Sequence, residues 1–179
     1  MIDPIEWGRE IQIICDVLRS QGMPGEGVAP QQVVAMHNAC SDFEYAARWP
    51  TPRFGAGAFR VALEKLWSQL TGRELEQVLY GKPHEAQYRF VEQLMTDFVK
   101  ETDALAPAPT SFYMVGDNPE TDIMGARVAG PHWQSILVRT GLWEGGANDE
   151  NEPADAVVDD VKAAVAWILE QEAAANPKP

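Results

Sequence analysis

The chain has 179 residues, 45% hydrophobic and 23% charged, which is the make-up of an ordinary globular domain and excludes a peptide module. Fourteen Lys and Arg against 27 Asp and Glu leave a formal net charge of −13, so an unassisted grip on nucleic acid phosphates or on an anionic membrane is excluded, whereas cations are not. Two cysteines, Cys15 and Cys40, are too few for a disulfide framework, no apolar run approaches the roughly 18 residues of a bilayer span, and the first ten residues are too polar for a signal peptide; an intracellular protein with reduced thiols is expected.

From Ile5 to Arg19 the spacing of Trp7, Ile11, Ile14 and Leu18 predicts an amphipathic helix, ended by the Gly- and Pro-rich stretch 21–27. Val33 to Met36 reads as a short strand. A long irregular segment with Pro50, Pro52, Gly55 and Gly57 follows, of a length that is often functional. Ala58 begins a second helix with Phe59, Leu63, Leu66, Trp67 and Leu70 on one face, stopped at Gly72. Glu76 to Tyr80 reads as a strand. Gly81-Lys82-Pro83 leads into a third helix whose apolar stripe is Tyr88, Val91, Met95 and Phe98, and residues 103–109 have the composition of a linker.

The last third is the most legible. Phe112 to Val115 is a buried strand, Thr121 to Ala129 a short helix closed by Gly130, and Ser135 to Val138 another buried strand. A polar loop runs to Pro153, Ala156 to Val158 is a minimal strand, and Val161, Val165, Ile168 and Leu169 line a final helix. Strands alternating with helices imply an α/β fold with a parallel sheet covered on both sides.

The chemistry concentrates at Val115-Gly116-Asp117-Asn118-Pro119-Glu120-Thr121-Asp122. A buried strand ends there, and two carboxylates five residues apart stand just before a helix. In parallel sheets ligands bind beyond the carboxyl ends of the strands, and Mg²⁺ takes one or two carboxylates with water and phosphate completing its shell. The helix from Thr121 would add amide N–H groups for an anion. The same residues also read as turn chemistry, with Thr121 or Asp122 as a cap. Lys82, held between Gly81 and Pro83, is either a surface lysine beside a turn or a point charge for a phosphoryl group.

In their order, these segments resemble the haloacid dehalogenase-like (HAD) superfamily. Tyr80-Gly81-Lys82-Pro83 resembles its third motif, and Val115-Gly116-Asp117 through Asp122 and on to Gly130 its fourth. The likeness extends to the large-cap subfamily IIA and is closest to the cat eye syndrome critical region type: residues 3–12 and Pro50-Thr51-Pro52-Arg53-Phe54-Gly55-Ala56-Gly57-Ala58-Phe59-Arg60 are similar to cap segments, and Leu137 to Trp143 to the strand after motif four. The resemblance implies a Rossmann-like core in residues 79–179 and a partial α/β cap in residues 1–78. It implies a Mg²⁺-dependent phosphatase acting on a small phosphorylated substrate, cytoplasmic or mitochondrial. Asp117 and Asp122 would serve Mg²⁺, Lys82 would balance phosphoryl charge, and Arg53, Gly55, Gly57 and Asn118 would contact substrate.

The superfamily's nucleophile lies in an Asp-x-Asp motif, and the chain contains none. Cys40-Ser41-Asp42 stands where the group usually has Asn-Pro-Asp. The expectation is therefore a cap and the second half of a core, on an N-terminally truncated chain that is inactive alone, the alternative being a non-catalytic module that binds a cation or a partner. Three weaker signals remain. His37, His84 and His132 show no metal spacing, Trp143 is expected to anchor its loop or meet a partner, and the acidic stretch 148–160 is expected to be a solvated loop.

Overall fold

A computed structural model describes residues 6–25 and 27–175. Ile5, where the first helix was expected to begin, and Asp3 and Pro4 of the first cap-like segment lie outside them, as do Glu26 and Lys178. The chain divides into two compact units, residues 1–81 and 82–179.

In the first unit, α1 (Trp7–Arg19) buries Ile11 and Leu18 of the expected row, together with Cys15, while Trp7 and Ile14 of that row are half-buried. It meets α2 (Ala56–Thr71), which buries Leu63 and Trp67, and Val34, Met36, Phe59 and Leu75 pack around them. Gly57 and Ala58 are buried in its first turn, whereas Leu66 and Leu70, expected on the face of Leu63 and Trp67, are exposed, because the elements packed on α2 shield a narrow stripe. Gly72 ends α2 in the left-handed conformation (φ 70°).

Two small sheets complete the unit. Parallel strands β1 (Met36–Asn38) and β4 (Gln77–Leu79) pair with Met36 opposite Gln77, and β2 (Glu44–Tyr45) forms an antiparallel pair with β3 (Arg53–Phe54) inside the segment expected to be irregular. The strand expected at Val33–Met36 begins only at its last residue. The Gln32 side-chain amide donates to the carbonyls of Val34 (3.0 Å) and Glu76 (2.7 Å) and accepts from the Glu76 N–H, so it occupies backbone groups that a longer ladder would use.

The second unit is a three-layered α/β structure. Its parallel sheet, in the order β5-β6-β7, comprises β5 (Phe112–Gly116), β6 (Trp133–Val138) and β7 (Ala156–Val158). Side chains alternate along the strands. Phe112, Met114 and Trp133 join Tyr88 and Val91 of α3 (Glu85–Thr102) and Ala126 and Ala129 of α4 (Met124–Ala129) on one face. Tyr113, Val115, Ile136, Val138, Ala156 and Val158 face α5 (Val161–Ala175) on the other. The expected α/β class with a parallel sheet covered on both sides is thus what the second unit builds.

Two helical stripes differ from expectation. On α3, Met95 and Phe98 are exposed while Tyr88 is buried. Eighteen residues of helix rise about 27 Å, against about 17 Å for the five residues of β5, so α3 outruns what covers it. On α5 the inward residues are Ala164, Trp167 and Ile168, and Val161, Val165 and Leu169 face solvent. The expected helix from Thr121 is instead a π-helical turn over Pro119–Ile123, with the Met124 N–H reaching the Pro119 carbonyl, followed by α4. Such turns recur at functional sites.

Candidate functional site

Because β5 and β6 are parallel and in register, Gly116 opposite Leu137, both deliver their carboxyl ends to one edge of the sheet. The loops that leave that edge carry the polar residues. Asp117 follows β5 directly, half-buried, and its Oδ2 accepts a hydrogen bond from the Leu142 N–H at 2.7 Å in the loop after β6. No described residue hydrogen-bonds its other oxygen.

Asp122 lies in the π turn and is only 2% exposed. Its Oδ1 is 2.5 Å from the Lys82 Nζ, and its Oδ2 accepts from the Asn118 N–H at 3.1 Å. Burial pushes the Asp122 carboxyl up and the nearby Asp117 charge pushes the same way; the Lys82 ammonium and the Asn118 N–H pull it down without cancelling the rise. Lys82 is therefore the main group that favours the anion.

Lys82 reaches Asp122 because α3 is docked. Tyr88, one turn into the helix, packs edge-on against Trp133 and brings its hydroxyl to 3.4 Å from the carbonyls of Thr121 and Asp122. The Lys82 N–H is held by Gln87 Oε1 at 3.0 Å. A residue expected to be only core thus joins the lysine's helix to the turn bearing its partner.

The expected anion site at the start of a helix from Thr121 is not formed. Asn118 caps the turn, in place of Thr121 or Asp122, and takes its amides: Asn118 Oδ1 accepts from Glu120, and its carbonyl accepts from Thr121 and Asp122. The backbone donors are spent locally.

The structure brings Lys82, Asp117, Asn118 and Asp122 together within the second unit. Arg53, Gly55 and Gly57 belong to the first. Arg53 is exposed on β3 opposite Tyr45. Gly55 and Gly57 donate their N–H groups to the carbonyls of Phe43 (2.7 Å) and Asp42 (2.9 Å), and a side chain at either would strike the backbone of residues 41–42, which gives both a packing role.

Among the described residues no three or more His, Cys, Asp or Glu gather around one point, so a closed metal cage is absent. Asp117 nonetheless suits a hard cation that takes one or two carboxylates and fills its shell with water and phosphate oxygens. Asp122, with both oxygens engaged, fits a supporting place beside it. His132 serves elsewhere, its Nε2 at 2.7 Å from Glu92, and His37 pairs with the Tyr80 hydroxyl at 3.0 Å.

Trp143 packs with Ile123, Leu137 and Ala154 and anchors its loop. The acidic stretch is more than solvated surface. Asp155 accepts from the N–H and hydroxyl of Ser135, Asp160 accepts from the Ala163 N–H at the start of α5, and Glu152 pairs with Arg127. What sequence reading missed is the Leu142 N–H; its signal was a glycine three residues past the end of a buried strand.

Residues 79–164 match the HAD-hydrolase-like family. A cardiolipin synthase (CMP-forming)/mitochondrial hydrolase fusion protein of Schizosaccharomyces pombe is 34% identical over 170 residues, 94% of this chain and 28% of that protein. A mitochondrial hydrolase of Saccharomyces cerevisiae is 31% identical over 190 residues, 94% of this chain and 53% of that protein. The chain spans about half the length, or less, of these curated relatives. A crystal structure of a single mutant of thermostable NPPase from Geobacillus stearothermophilus shares the fold, with a TM-score of 0.51, 19% identity, and coverage of 86% of this chain and 49% of that one. Residues 79–164 are thus similar to HAD-like hydrolases, and the fold is α/β with a Rossmann-like core.

Proposed function

We propose, taking the chain as a HAD-like hydrolase, that its second unit is the phosphoryl-handling half of a Mg²⁺-dependent phosphatase for a small phosphorylated substrate. The observation that carries this reading is the Lys82 ammonium 2.5 Å from a carboxylate buried to 2% exposure and 40 residues away in sequence. A buried ion pair is a poor stabilising device, since an apolar pair of similar volume serves as well or better. A fixed ammonium at the carboxyl edge of a parallel sheet is better accounted for by an anionic ligand.

In this proposal Asp117 holds the cation and Asp122 supports it. When bound, Mg²⁺ supplies charge neutralisation at the phosphoryl oxygens. Lys82 presents a second positive charge to the same group, and Asp122 keeps its ammonium from swinging into solvent. Asn118 holds the turn and the Asp122 carboxylate, and is the proposed substrate contact of the second unit. The first unit is proposed as a partial cap of the large-cap, cat eye syndrome critical region type, with Arg53 its exposed cation and Gly55 and Gly57 shaping the hairpin that bears it. The names of the relatives support a mitochondrial address.

The chain contains no Asp-x-Asp. The proposal therefore assigns cation and phosphate binding to this polypeptide, and no phosphoaspartyl step to it alone. That same fact favours a second reading, a non-catalytic module that binds a cation or a partner through the same fold.

Titration with Mn²⁺ as a paramagnetic stand-in for Mg²⁺, with and without inorganic phosphate, tests the site. The wild-type chain is expected to bind saturably, Asp117→Asn at least tenfold more weakly, and Lys82→Met to lose the enhancement by phosphate. No Asp117-dependent binding would sink the proposal. Hydrolysis of p-nitrophenyl phosphate by the chain alone, abolished by Asp117→Asn, would instead overturn the second reading.

A further inference from the structure

We infer that two copies of this chain join through the open edge of β5 and the apolar stripes beside it on α3 and α5, their β5 strands pairing antiparallel about Met114 into one six-stranded sheet. The contact goes beyond the cation site and does not depend on it. β6 lies on one side of β5, and no strand among the described residues lies on the other. The Phe112 N–H donates to the His132 carbonyl at 2.9 Å, so Phe112, Met114 and Gly116 direct their backbone groups to β6, while Tyr113 and Val115 direct theirs outward. Edge strands are ordinarily guarded by a charged side chain, a proline or a bulge. Phe112–Gly116 carries none of the three and pairs with β6 in unbroken register.

Both helical layers leave apolar surface uncovered beside that edge. The flank of α3 toward β6 is marked by Glu92, whose carboxylate meets the His132 and Trp133 side chains at 2.7 Å. Val91 packs on the sheet, and at about 100° per residue the stripe Phe90, Leu94 and Phe98 continues round the helix from Val91, away from Glu92. All three are exposed. On the other face the Tyr113 hydroxyl donates to Glu172 at 2.6 Å, so the flank of α5 that bears Glu172 leans over β5. Val161, Val165 and Leu169 share that flank and are exposed.

A second copy fits this face because the face matches itself, as a two-fold contact requires. Antiparallel pairing centred on Met114 sets Tyr113 of one copy opposite Val115 of the other, and each such pair exchanges two N–H···O bonds through groups that already point outward. A parallel pairing has no such symmetry, since a residue of one strand then bonds to the residues before and after its neighbour. The two-fold axis normal to the sheet also brings α3 against α3 and α5 against α5, apolar stripe on apolar stripe. Two phenylalanines and four aliphatic side chains, with the strand between them, offer an area on the order of the roughly 800 Å² per partner that a stable interface buries.

Sedimentation equilibrium of the full chain, without added cation, is expected to give a dimer with a Kd in the micromolar range or tighter. Leu94→Lys and Leu169→Lys, at exposed positions outside the packed clusters, are each expected to raise that Kd at least tenfold, and Trp49→Ala, on the exposed surface of the first unit, to leave it unchanged. In the wild-type chain the Tyr113 and Val115 amides are expected to exchange at least threefold more slowly tenfold above the Kd than tenfold below it, while those of Phe112 and Met114 stay protected at both. A chain that remains monomeric up to about 200 µM overturns the inference. So does a dimer weakened by Trp49→Ala and not by the two lysines, or one in which Tyr113 and Val115 exchange without regard to concentration, because either result puts the contact on another face.

Discussion

The two units handle polar groups in opposite ways. The main core cluster of the first is built from Ile11, Cys15, Leu18, Leu63 and Trp67, and its buried Ser20 spends its hydroxyl locally, on the Val17 carbonyl of its own helix. The second buries Thr121, Asp122 and Ser135 among its hydrophobic clusters and keeps a carboxylate at its heart with an ammonium beside it. The difference follows from sheet geometry. Three parallel strands in register send successive loops to one edge, where side chains remote in sequence meet. Strand pairs of two or three residues, as in the first unit, gather no such edge.

Three substitutions break or sharpen this contrast. Trp67→Ala should have the largest effect, about 3–5 kcal/mol, because the indole is fully buried and its N–H is bonded to the Glu74 carbonyl at 3.2 Å. Hydrogen exchange should accelerate in α1 and α2 while residues 112–138 stay protected; parallel loss in both would show that the units unfold as one body. Lys82→Met comes next, at about 3 kcal/mol, since it strands the Asp122 carboxylate without its ammonium, and it is placed at the low end of such losses because the lysine is partly exposed. Urea denaturation followed by exchange in β5 and β6 checks it, and an unchanged midpoint would mean that Asp122 needs no counter-charge.

Glu92→Gln is the mildest, about 1 kcal/mol. Burial raises the Glu92 carboxyl, but hydrogen bonds from Trp133, His132 and Arg89 outweigh it and hold the group down to about 2. The folded state therefore binds fewer protons than the unfolded one between the ordinary value of 4.5 and about 2. This stabilisation is complete above pH 4.5 and is lost as pH falls through that window. Glu92→Gln, which carries no charge to lose, should show a shallower decline between pH 5 and pH 3 in urea melts, and an identical decline would remove Glu92 from the account.

Much of the second unit was legible in advance because its signals are local. Strands at Phe112–Val115, half-buried at the sheet's end, and at Ser135–Val138, a stop at Gly130 and the Gly-Asp-x-x-x-x-Asp spacing each depend on neighbours a few positions away. The misses share one cause. Leu66, Leu70, Met95 and Phe98 obey helical periodicity yet lie in solvent, since periodicity marks a face without saying whether anything covers it. The hairpin of β2 and β3 escaped notice because two-residue strands carry almost no pattern, and the acidic loop looked idle because Asp155 acts on the backbone of β6, 20 residues away.

Charge, the order of helices and strands, the α/β class and the residue types able to serve a phosphoryl group were all determined by the sequence itself, through rules that act within one turn or one strand. Only the tertiary structure decided that Lys82 meets Asp122 and that Leu142 takes one oxygen of Asp117. Each of those pairings depends on a docking event, whether of α3 through Tyr88 or of the loop between Arg139 and Trp143. Contacts between segments 25 to 40 residues apart are created by packing, and packing is a property of surfaces that exist only once the chain has folded.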